Sequence, residues 1–328
     1  MRIIAFEVRP DERATFEREA RRLGAAEGLA IDCRADPLVA DNVAACLGYD
    51  AVLVLGRSVC DGPMVRALDT LGVRALVTRT VGMDHIDLVT AEAVGIAVSN
   101  VGYSPDGVAD FALMLMLVAL RKYKPAVYRQ NVNDYSLDGL MGRTFSSMTV
   151  GVVGTGRIGS AVVRRLAGFG PTILACSNHE APEVTGIACY VSLDELLARA
   201  DLITLHVPSL PSTYHLVNER TLAMMHDGVI LVNTARGDLM DTDALVGGME
   251  SGKIGALAMD VFEGEQGVYH ESHVNDVLSN RDMAYLRQFP NSVLTQHMAF
   301  YTRQSVDEMV VGSIARAIDL VRRQNGVG

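Results

Sequence analysis

The fold of this chain is decided by residues 149–169, which read TVGVVGTGRIGSAVVRRLAGF. The apolar run 149–153 predicts a strand, and it leads into glycines at positions 154, 156 and 159 and then into an amphipathic segment with helical spacing. In such a unit the first glycine permits a tight turn, the second lets backbone amides approach a pyrophosphate, and the third allows close helix packing. Three spaced glycines also occur in ordinary turns, but the flanking strand and helix favour a dinucleotide-binding βαβ unit. The residues of this turn predicted to bind the cofactor are Gly154, Thr155, Gly156, Arg157, Ile158 and Gly159.

The end of the next predicted strand bears on which dinucleotide is bound. In many such folds a carboxylate about 20 residues after the glycines accepts hydrogen bonds from the adenosine ribose. Here residues 175–179 read ACSNH, with neither a carboxylate nor an Arg or Lys. A missing carboxylate removes a charge that would repel a 2′-phosphate. The sequence therefore leaves both NAD(H) and NADP(H) open as the cofactor, and Ser177 is either a contact to the cofactor or only a solvated loop residue.

Short apolar runs alternate with amphipathic segments along the chain, which is typical of parallel sheets built from βα units. Residues 2–6, 51–55 and 75–78 predict strands of a first sheet. The pattern after residue 148 predicts six further strands, at 149–153, 172–176, 202–206, 229–233, 256–260 and 292–295. These six fit one doubly wound sheet, so the expected fold class is α/β with doubly wound parallel sheets.

Two helices are predicted from their end signals and spacing. Ser104 is a predicted N-cap and Pro105 a predicted first residue of a long buried helix that contains the apolar run 111–120. That run ends at Arg121, far short of the roughly 20 apolar residues that a membrane span needs. Residues 305–323 carry apolar side chains at helical spacing, and they predict a C-terminal helix that returns to pack on the first domain.

Length, charge and cysteine content limit the class of protein to which this chain can belong. The chain has 328 residues, enough for about two domains. Its net charge of −10 argues against a nucleic acid partner, because binding to phosphates needs clustered Lys and Arg. The N-terminus lacks the apolar core of a signal peptide. An odd number of cysteines without metal-type spacing predicts free thiols, a cytoplasmic location and no metal site. The cysteines are Cys33, Cys46, Cys60, Cys176 and Cys189.

Three groups suited to the reduction of a 2-oxo acid stand at strand ends. The reaction needs a cation that holds the carboxylate and polarises the carbonyl, a proton donor for the developing alkoxide, and a partner that keeps the donor protonated. Arg236, Glu265 and His297 each follow a predicted strand, where doubly wound sheets bind ligands. Taken singly, they have ordinary interpretations as an ion-pair residue, a solvated loop residue and a structural histidine. Together they predict the catalytic residues of an oxidoreductase.

Several motifs in a fixed order extend this interpretation to nearly the whole chain. They are RTVGMDHID (79–87), NVGYSP (100–105), VGVVGTGRIG (150–159), LHVP (205–208), NTARG (233–237), AMDV (258–261) and HMAFYT (297–302). With these motifs the sequence resembles the D-2-hydroxyacid dehydrogenases, and within them the D-lactate dehydrogenases, including the enzymes that accompany vancomycin resistance. The resemblance implies a hydride transfer between NAD(P)H and C2 of a 2-oxo acid.

The resemblance also implies roles for individual residues. His297 is the general acid in reduction and the base in oxidation, Glu265 is hydrogen-bonded to it and favours its protonated form, and Arg236 holds the substrate carboxylate and carbonyl. The residues implied to contact the cofactor are His206, Val207, Pro208, Thr234, Ala235 and, at the nicotinamide carboxamide, Asp260. The residues implied to contact the substrate are Val81, Gly82 and Tyr103.

An architecture follows from the same resemblance. Residues 1–101 and 299–328 form a flavodoxin-like substrate domain, residues 102–298 form an inserted Rossmann coenzyme domain, the cleft closes over the substrate, and homodimers form through the coenzyme domain. The sequence departs from the family where Gln296 replaces the usual proline before the histidine and where Met298 replaces a small or polar residue. A residue other than proline relaxes the local φ constraint next to His297.

The side chain of the substrate and two rival functions stay open. Leu55, at the end of a predicted strand, is expected to contact the substrate, and its apolar side chain favours a bulkier aliphatic or aromatic substrate over lactate. Phe300 and Tyr301 add an apolar wall that is consistent with pyruvate, branched 2-oxo acids or phenylpyruvate. Two alternatives are that Leu55 belongs only to the core, and that Arg57 binds a second carboxylate. The rival functions are a dinucleotide-sensing corepressor without significant turnover and a dehydrogenase of phosphorylated hydroxy acids or of phosphite.

Overall fold

The computed structural model describes residues 1–324 and Gly326, and these divide into two compact units. The terminal unit contains Met1–Ser104 and the described residues from Tyr301 onward, and the central unit contains Pro105–Phe300. In chain order the strands are β1 (Arg2–Ala5), β2 (Ala30–Cys33), β3 (Ala51–Val54), β4 (Ala75–Thr78), β5 (Ala97–Asn100), β6 (Thr149–Val153), β7 (Thr172–Cys176), β8 (Cys189–Tyr190), β9 (Leu202–Leu205), β10 (Val229–Asn233), β11 (Ile254–Met259) and β12 (Ser292–Leu294). The α-helices are α1 (Pro10–Glu27), α2 (Gly62–Thr70), α3 (Leu88–Val94), α4 (Asp106–Leu120), α5 (Tyr123–Asn131), α6 (Arg157–Ala167), α7 (Leu193–Arg199), α8 (Glu219–Met224), α9 (Thr242–Glu250), α10 (Arg281–Leu286) and α11 (Arg303–Gln324).

The terminal unit is built on a parallel sheet with the strand order β2-β1-β3-β4-β5. This is the flavodoxin-like order. Successive residues of a strand face opposite sides, so Ile3 and Ala5 join the cluster that contains Phe16 of α1 and Val310 of α11, whereas Ile4 joins the cluster on the other face. The predicted C-terminal helix is confirmed as α11, and it packs on this sheet.

The central unit has a seven-stranded parallel sheet with the order β12-β11-β10-β9-β6-β7-β8. The chain reverses its direction of growth between β6 and β9, which is where doubly wound sheets bind ligands. The six predicted strands of this sheet are confirmed, with ends that shift by one or two residues. The prediction of six strands alone was wrong, because it missed β8 at the edge beside β7. A strand of two residues is too short to show any alternation in the sequence.

The long helix after residue 104 starts differently from its prediction. Its first residue is Asp106, and the N-cap residue Pro105, with φ −68° and ψ −11°, makes no side-chain cap. The prediction of Ser104 as the N-cap is therefore wrong, and the backbone N–H of Ser104 donates to Glu308 Oε2 at 2.6 Å. The body of α4 is buried as predicted, with Leu115 fully enclosed. Among the described helices, none combines the length and the apolar character that crossing a membrane requires.

Candidate active site

The glycine turn after β6 is packed as its sequence predicts. Gly154 has φ 92°, a conformation that residues with a Cβ rarely adopt, and an added Cβ would lie 2.6 Å from the carbonyl oxygen of His206. An added Cβ on Gly159 would lie 1.8 Å from the carbonyl oxygen of Gly154. By contrast, the Cβ position of Gly156 has no described atom within 4 Å. The turn is therefore tight on its protein side and open in front of α6.

The start of α6 is suited to bind a diphosphate. Gly156 and Arg157 are exposed, Ile158 is half-buried, and Thr155 is buried behind them. The first backbone amides of this 11-residue helix have no partner within the helix itself, and they carry the positive end of its dipole. An open space at such a helix end is a ready anion site.

A hydrogen-bond network joins this turn to the loop that follows β7. Tyr190 OH donates to Thr155 Oγ1 at 2.9 Å, and Thr155 Oγ1 donates to the carbonyl oxygen of His179 at 3.4 Å. Sequence reasoning missed Tyr190 because the short strand β8 that carries it was not predicted. In the same loop Ser177 is half-buried, and the first carboxylate of the loop belongs to the exposed Glu180.

Two enclosed polar atoms fit a bound dinucleotide. Nδ1 of His206 and Oγ1 of Thr234 are buried and have no hydrogen-bond partner among the described residues. Burial lowers the pKa of His206 to about 4, so its ring is neutral near pH 7 while Nε2 bonds with Thr204 Oγ1 at 3.0 Å. Buried polar atoms normally have a hydrogen-bond partner. These two unpartnered atoms and the open space at Gly156 therefore fit an NAD molecule. The other residues predicted to flank the cofactor are Val207, Pro208 and Ala235, which lie next to them along the chain.

His297 and Glu265 lie in direct contact, as the resemblance implied. The distance between His297 Nδ1 and Glu265 Oε1 is 2.5 Å, and the two side chains are 31% and 17% exposed. Glu265 Oε2 also accepts from the backbone N–H of Phe262 at 2.7 Å, which fixes the carboxylate. With Nδ1–H donating to Glu265, Nε2 is the ring nitrogen that remains for a reacting proton.

The backbone around His297 is held by Asp260. The Asp260 side chain is fully buried, and its carboxylate accepts from Thr295 Oγ1 at 2.6 Å, from Met298 N at 2.9 Å and from Ala299 N at 2.7 Å. The backbone carbonyl of Asp260 accepts from His297 N at 2.6 Å. His297 itself has φ 51°, a left-handed conformation that costs an L-residue about 1 to 2 kcal/mol. These four hydrogen bonds hold that conformation.

The loop that carries Arg236 is packed against the loop that carries Glu265. Arg236 is half-buried, and its backbone carbonyl accepts from Asn233 Nδ2 at 2.8 Å. Asn233 is fully buried at the end of β10, so its side chain fixes the turn that contains Arg236. An added Cβ on Gly237 would lie 2.1 Å from the carbonyl carbon of Phe262, so only glycine allows this approach. Asn233 and Gly237 were quoted in the NTARG motif without a role, and the structure gives them these positioning roles.

The predicted substrate residues of the terminal unit follow three neighbouring strands. Leu55 directly follows β3 and is 7% exposed, Val81 and Gly82 follow β4, and the half-buried Tyr103 follows β5. Val81 is 44% exposed, and its carbonyl oxygen accepts from Asn100 Nδ2 at 2.5 Å. Because the strands are parallel neighbours, their carboxyl ends lie at one edge of the sheet. These residues therefore share one edge.

Two further side chains lie beside His297 in the central unit. The ring of Phe300, predicted to contact the substrate, has its centroid 6.5 Å from that of His297. His270 Nε2 lies 3.1 Å from the carbonyl oxygen of His297, and the two rings are 6.1 Å apart. Sequence reasoning missed His270, because it stands in a long loop without a strand-end motif. Within residues 1–324 and Gly326, no group of three or more His, Cys, Asp or Glu side chains is placed to hold a metal ion.

Comparisons with known proteins identify related sequences and structures. Residues 113–299 match the family model "D-isomer specific 2-hydroxyacid dehydrogenase, NAD binding domain". An aromatic 2-oxoacid reductase of Clostridium sporogenes is 38% identical over 94% of this chain and 93% of its own length. A D-specific alpha-keto acid dehydrogenase of Enterococcus faecium is 41% identical over 82% of each chain. The solved structure of a D-2-hydroxyisocaproate dehydrogenase superposes with a TM-score of 0.88 and 30% identity, covering 99% of this chain and 98% of the other.

Proposed function

The chain belongs to the D-isomer specific 2-hydroxyacid dehydrogenases, and we propose that Arg236, Glu265 and His297 perform its reaction. It is an NAD-dependent enzyme that reduces 2-oxo acids to D-2-hydroxy acids. The observation that carries the proposal is the 2.5 Å contact between Glu265 and His297 at the end of the sheet that bears the glycine turn. A carboxylate bonded to one ring nitrogen orients the imidazole and leaves the other ring nitrogen for the reacting proton.

The three residues have different roles: His297 and Arg236 act on the substrate, and Glu265 acts through His297. The bound dinucleotide supplies the hydride that C2 of the 2-oxo acid receives. His297 gives its Nε2 proton to the oxygen on C2, and Glu265 keeps the ring oriented through Nδ1. The guanidinium of Arg236 binds the substrate carboxylate and polarises the carbonyl. In the oxidation direction His297 takes the proton back from the hydroxyl group.

Each unit has its own proposed task. Residues 102–298 bind the dinucleotide, supported by the glycine turn and by the unpartnered atoms of His206 and Thr234. Residues 1–101 and 299–328 form the substrate domain, supported by the shared sheet edge where its predicted substrate residues lie. The residues assigned to the substrate are Leu55, Val81, Gly82, Tyr103 and, beside His297, Phe300. Asp260, which holds the His297 loop, is proposed to contact the nicotinamide carboxamide.

The substrate side chain is proposed to be apolar. Leu55 and Phe300 present hydrocarbon rather than charge, and relatives of this chain include an aromatic 2-oxoacid reductase and a D-2-hydroxyisocaproate dehydrogenase. The test is a panel of pyruvate, 2-oxoisocaproate, phenylpyruvate and 2-oxoglutarate with the purified protein, followed by the loss of NADH absorbance. Turnover of the monocarboxylates is expected. Turnover of 2-oxoglutarate alone would contradict an apolar substrate side chain, and cofactor binding without any turnover would favour a dinucleotide sensor.

NADP(H) is proposed as a second cofactor beside NAD(H). Residues 177–179 carry no carboxylate that would repel a 2′-phosphate, and Asn178 and His179 are exposed. Initial rates with NADPH and with NADH, at the same concentration of 2-oxo acid, measure the preference. Rates with NADPH that stay at background would contradict this proposal while leaving the reaction assignment intact.

A homodimer through the central unit is proposed from its exposed apolar side chains. After α4 the segment around α5 exposes Tyr128 (69%), Tyr135 (72%), Leu137 (83%) and Met141 (88%), and Met141 also lines a cavity of about 380 Å³. Exposed apolar patches of this kind mark interfaces. Light scattering should give twice the mass of one chain, and Met141→Glu should shift it towards the monomer. A monomeric wild-type protein would contradict the proposal. The five free cysteines support a reducing, cytoplasmic location.

A further inference from the structure

Glu7 is a buried carboxylate in the terminal unit to which no role has been assigned above. It follows β1, is 6% exposed, and has φ 56°, in the left-handed region that L-residues rarely adopt. A buried charge in an unfavourable backbone conformation persists only where its surroundings hold it. Its contacts therefore indicate what it does.

The carboxylate of Glu7 is bound by the loop that follows β3. Oε1 accepts from Leu55 N at 3.2 Å and from Ser58 N at 2.9 Å, and Oε2 accepts from Arg57 N at 3.1 Å. Ser58 Oγ donates to the same Oε1 and accepts from Leu38 N at 2.9 Å. Three amides of one short loop thus converge on one anion, which is a backbone nest filled by a side chain. These bonds join residues about 50 positions apart, and they fix the conformation of residues 55–58.

The backbone of Glu7 is joined to the second predicted substrate loop. The carbonyl oxygens of Phe6 and Glu7 accept from Arg79 Nη2 at 2.8 and 3.1 Å. Arg79 is fully buried, forms an ion pair with the buried Glu12 at 3.0 Å, and directly precedes the loop that contains Val81. Glu7 therefore contacts one loop through its side chain and the start of the other through its backbone.

We propose that Glu7 is a positioning residue that determines which substrate side chains the enzyme accepts. The inference rests on the proposed assignment of Leu55 to the substrate side chain. A carboxylate only accepts hydrogen bonds, so it matches three converging amides, whereas the amide group of Gln would place its own donors against one of them. Glu7→Gln keeps the size of the side chain and removes this match. The loop then shifts, and Leu55 with it.

The experiment compares Glu7→Gln with a matched control in the same unit. Glu19 is also 6% exposed, but its carboxylate is bound by the side chains of Arg18 and Arg22 on α1, away from the loop. For both variants, kcat and KM are measured with phenylpyruvate, 2-oxoisocaproate and pyruvate, and the dissociation constant of NADH is measured by fluorescence. Ser58→Ala is a milder third variant that removes one bond to Glu7.

Glu7→Gln should change the ratio of kcat/KM between phenylpyruvate and pyruvate by about 10-fold, mainly through KM, because small displacements near a substrate have effects of this size. The dissociation constant of NADH should not change in Glu7→Gln. In Glu19→Gln the ratio of kcat/KM between phenylpyruvate and pyruvate should stay as in the wild type. If Glu7→Gln does not fold, Ser58→Ala should shift the ratio in the same direction by less. An equal loss on all three substrates, or the same shift in Glu19→Gln, would overturn the proposal.

A reference variant separates this proposal from the assignment on which it rests. Leu55→Ala should change the same substrate ratio, because it enlarges the proposed pocket directly. If Leu55→Ala changes the ratio and neither Glu7→Gln nor Ser58→Ala does, the role of Glu7 is wrong and the pocket assignment stands. If Leu55→Ala leaves the ratio unchanged, the pocket assignment fails and the role of Glu7 fails with it.

Discussion

The loop that carries His297 and the loop that follows β7 are held very differently. In residues 295–299, four hydrogen bonds end on the buried Asp260, and the catalytic ring has its own bond to Glu265. In residues 177–180, three of the four residues are exposed, and the bond from Thr155 to His179 is a long 3.4 Å. The difference follows from the tasks proposed for the two loops. Proton transfer depends on geometry to within a fraction of an ångström, whereas contact with the far end of a dinucleotide adds only binding energy.

Removal of the proton donor from the tightly held His297 loop should cause the largest loss of activity. His297→Ala should lower the rate of 2-oxo acid reduction by about 10² to 10⁴, the range expected for the loss of a general acid. The measurement is kcat from initial rates, with NADH binding determined separately. His226→Ala, at an exposed histidine before β10, is the control and should keep the wild-type rate. A near wild-type rate in His297→Ala would show that another group supplies the proton.

Weakening the hydrogen bonds that hold the His297 loop, without replacing His297, should have an intermediate effect on kcat. Asp260→Asn places an amide donor against the N–H group of either Met298 or Ala299, because these two groups bond to different carboxylate oxygens, so the backbone of His297 moves and kcat should fall by about 10-fold to 100-fold. Asp201→Asn is the matched control, because Asp201 also accepts from a backbone amide, that of Thr149 at 2.8 Å, at the other end of the sheet. Equal losses of kcat in both variants would mean that the effect is general destabilisation.

A change in the loosely held loop should alter the choice of cofactor and leave the chemistry intact. Ser177→Asp introduces a carboxylate where the ribose end is expected, so kcat/KM for NADPH should fall about 10-fold or more relative to NADH. Steady-state kinetics with both cofactors provide the ratio, and Ser177→Ala should leave it almost unchanged. An unaltered ratio in Ser177→Asp would remove Ser177 from the cofactor site.

The smallest effect concerns stability and pH. Burial lowers the pKa of His206 from 6.5 to about 4, so between these values the unfolded chain binds a proton that the folded chain does not. The contribution of His206 to the free energy of unfolding is therefore fully present above pH 6.5 and is lost as the pH falls towards 4. In urea titrations at several pH values, the unfolding free energy of the wild type should fall more steeply through this window than that of His206→Asn. Equal slopes would mean that the ring titrates normally.

Much of the fold was predictable because its signals are local. The glycine turn requires backbone conformations that are properties of glycine itself, and the buried parallel strands are short continuous apolar runs. Arg236, Glu265 and His297 were recognisable because each follows such a run, and parallel strands end at the same edge. The start of α4 was predicted from capping preferences, and it was wrong because the helix begins one residue later than predicted, at Asp106, with Pro105 as its N-cap residue.

The sequence by itself determined the two parallel sheets, the dinucleotide turn and the identity of the three catalytic candidates, since all of these depend on neighbouring residues and on strand periodicity. The contact between Glu265 and His297 was implied by the family resemblance, whereas only the tertiary structure decided that Asp260 holds the His297 loop and that Glu7 holds the loop after β3. The partners in these contacts are 32 to 51 positions apart. A carboxylate has the same chemistry wherever it stands in a sequence, and only the folded chain determines which amides and rings come within its reach.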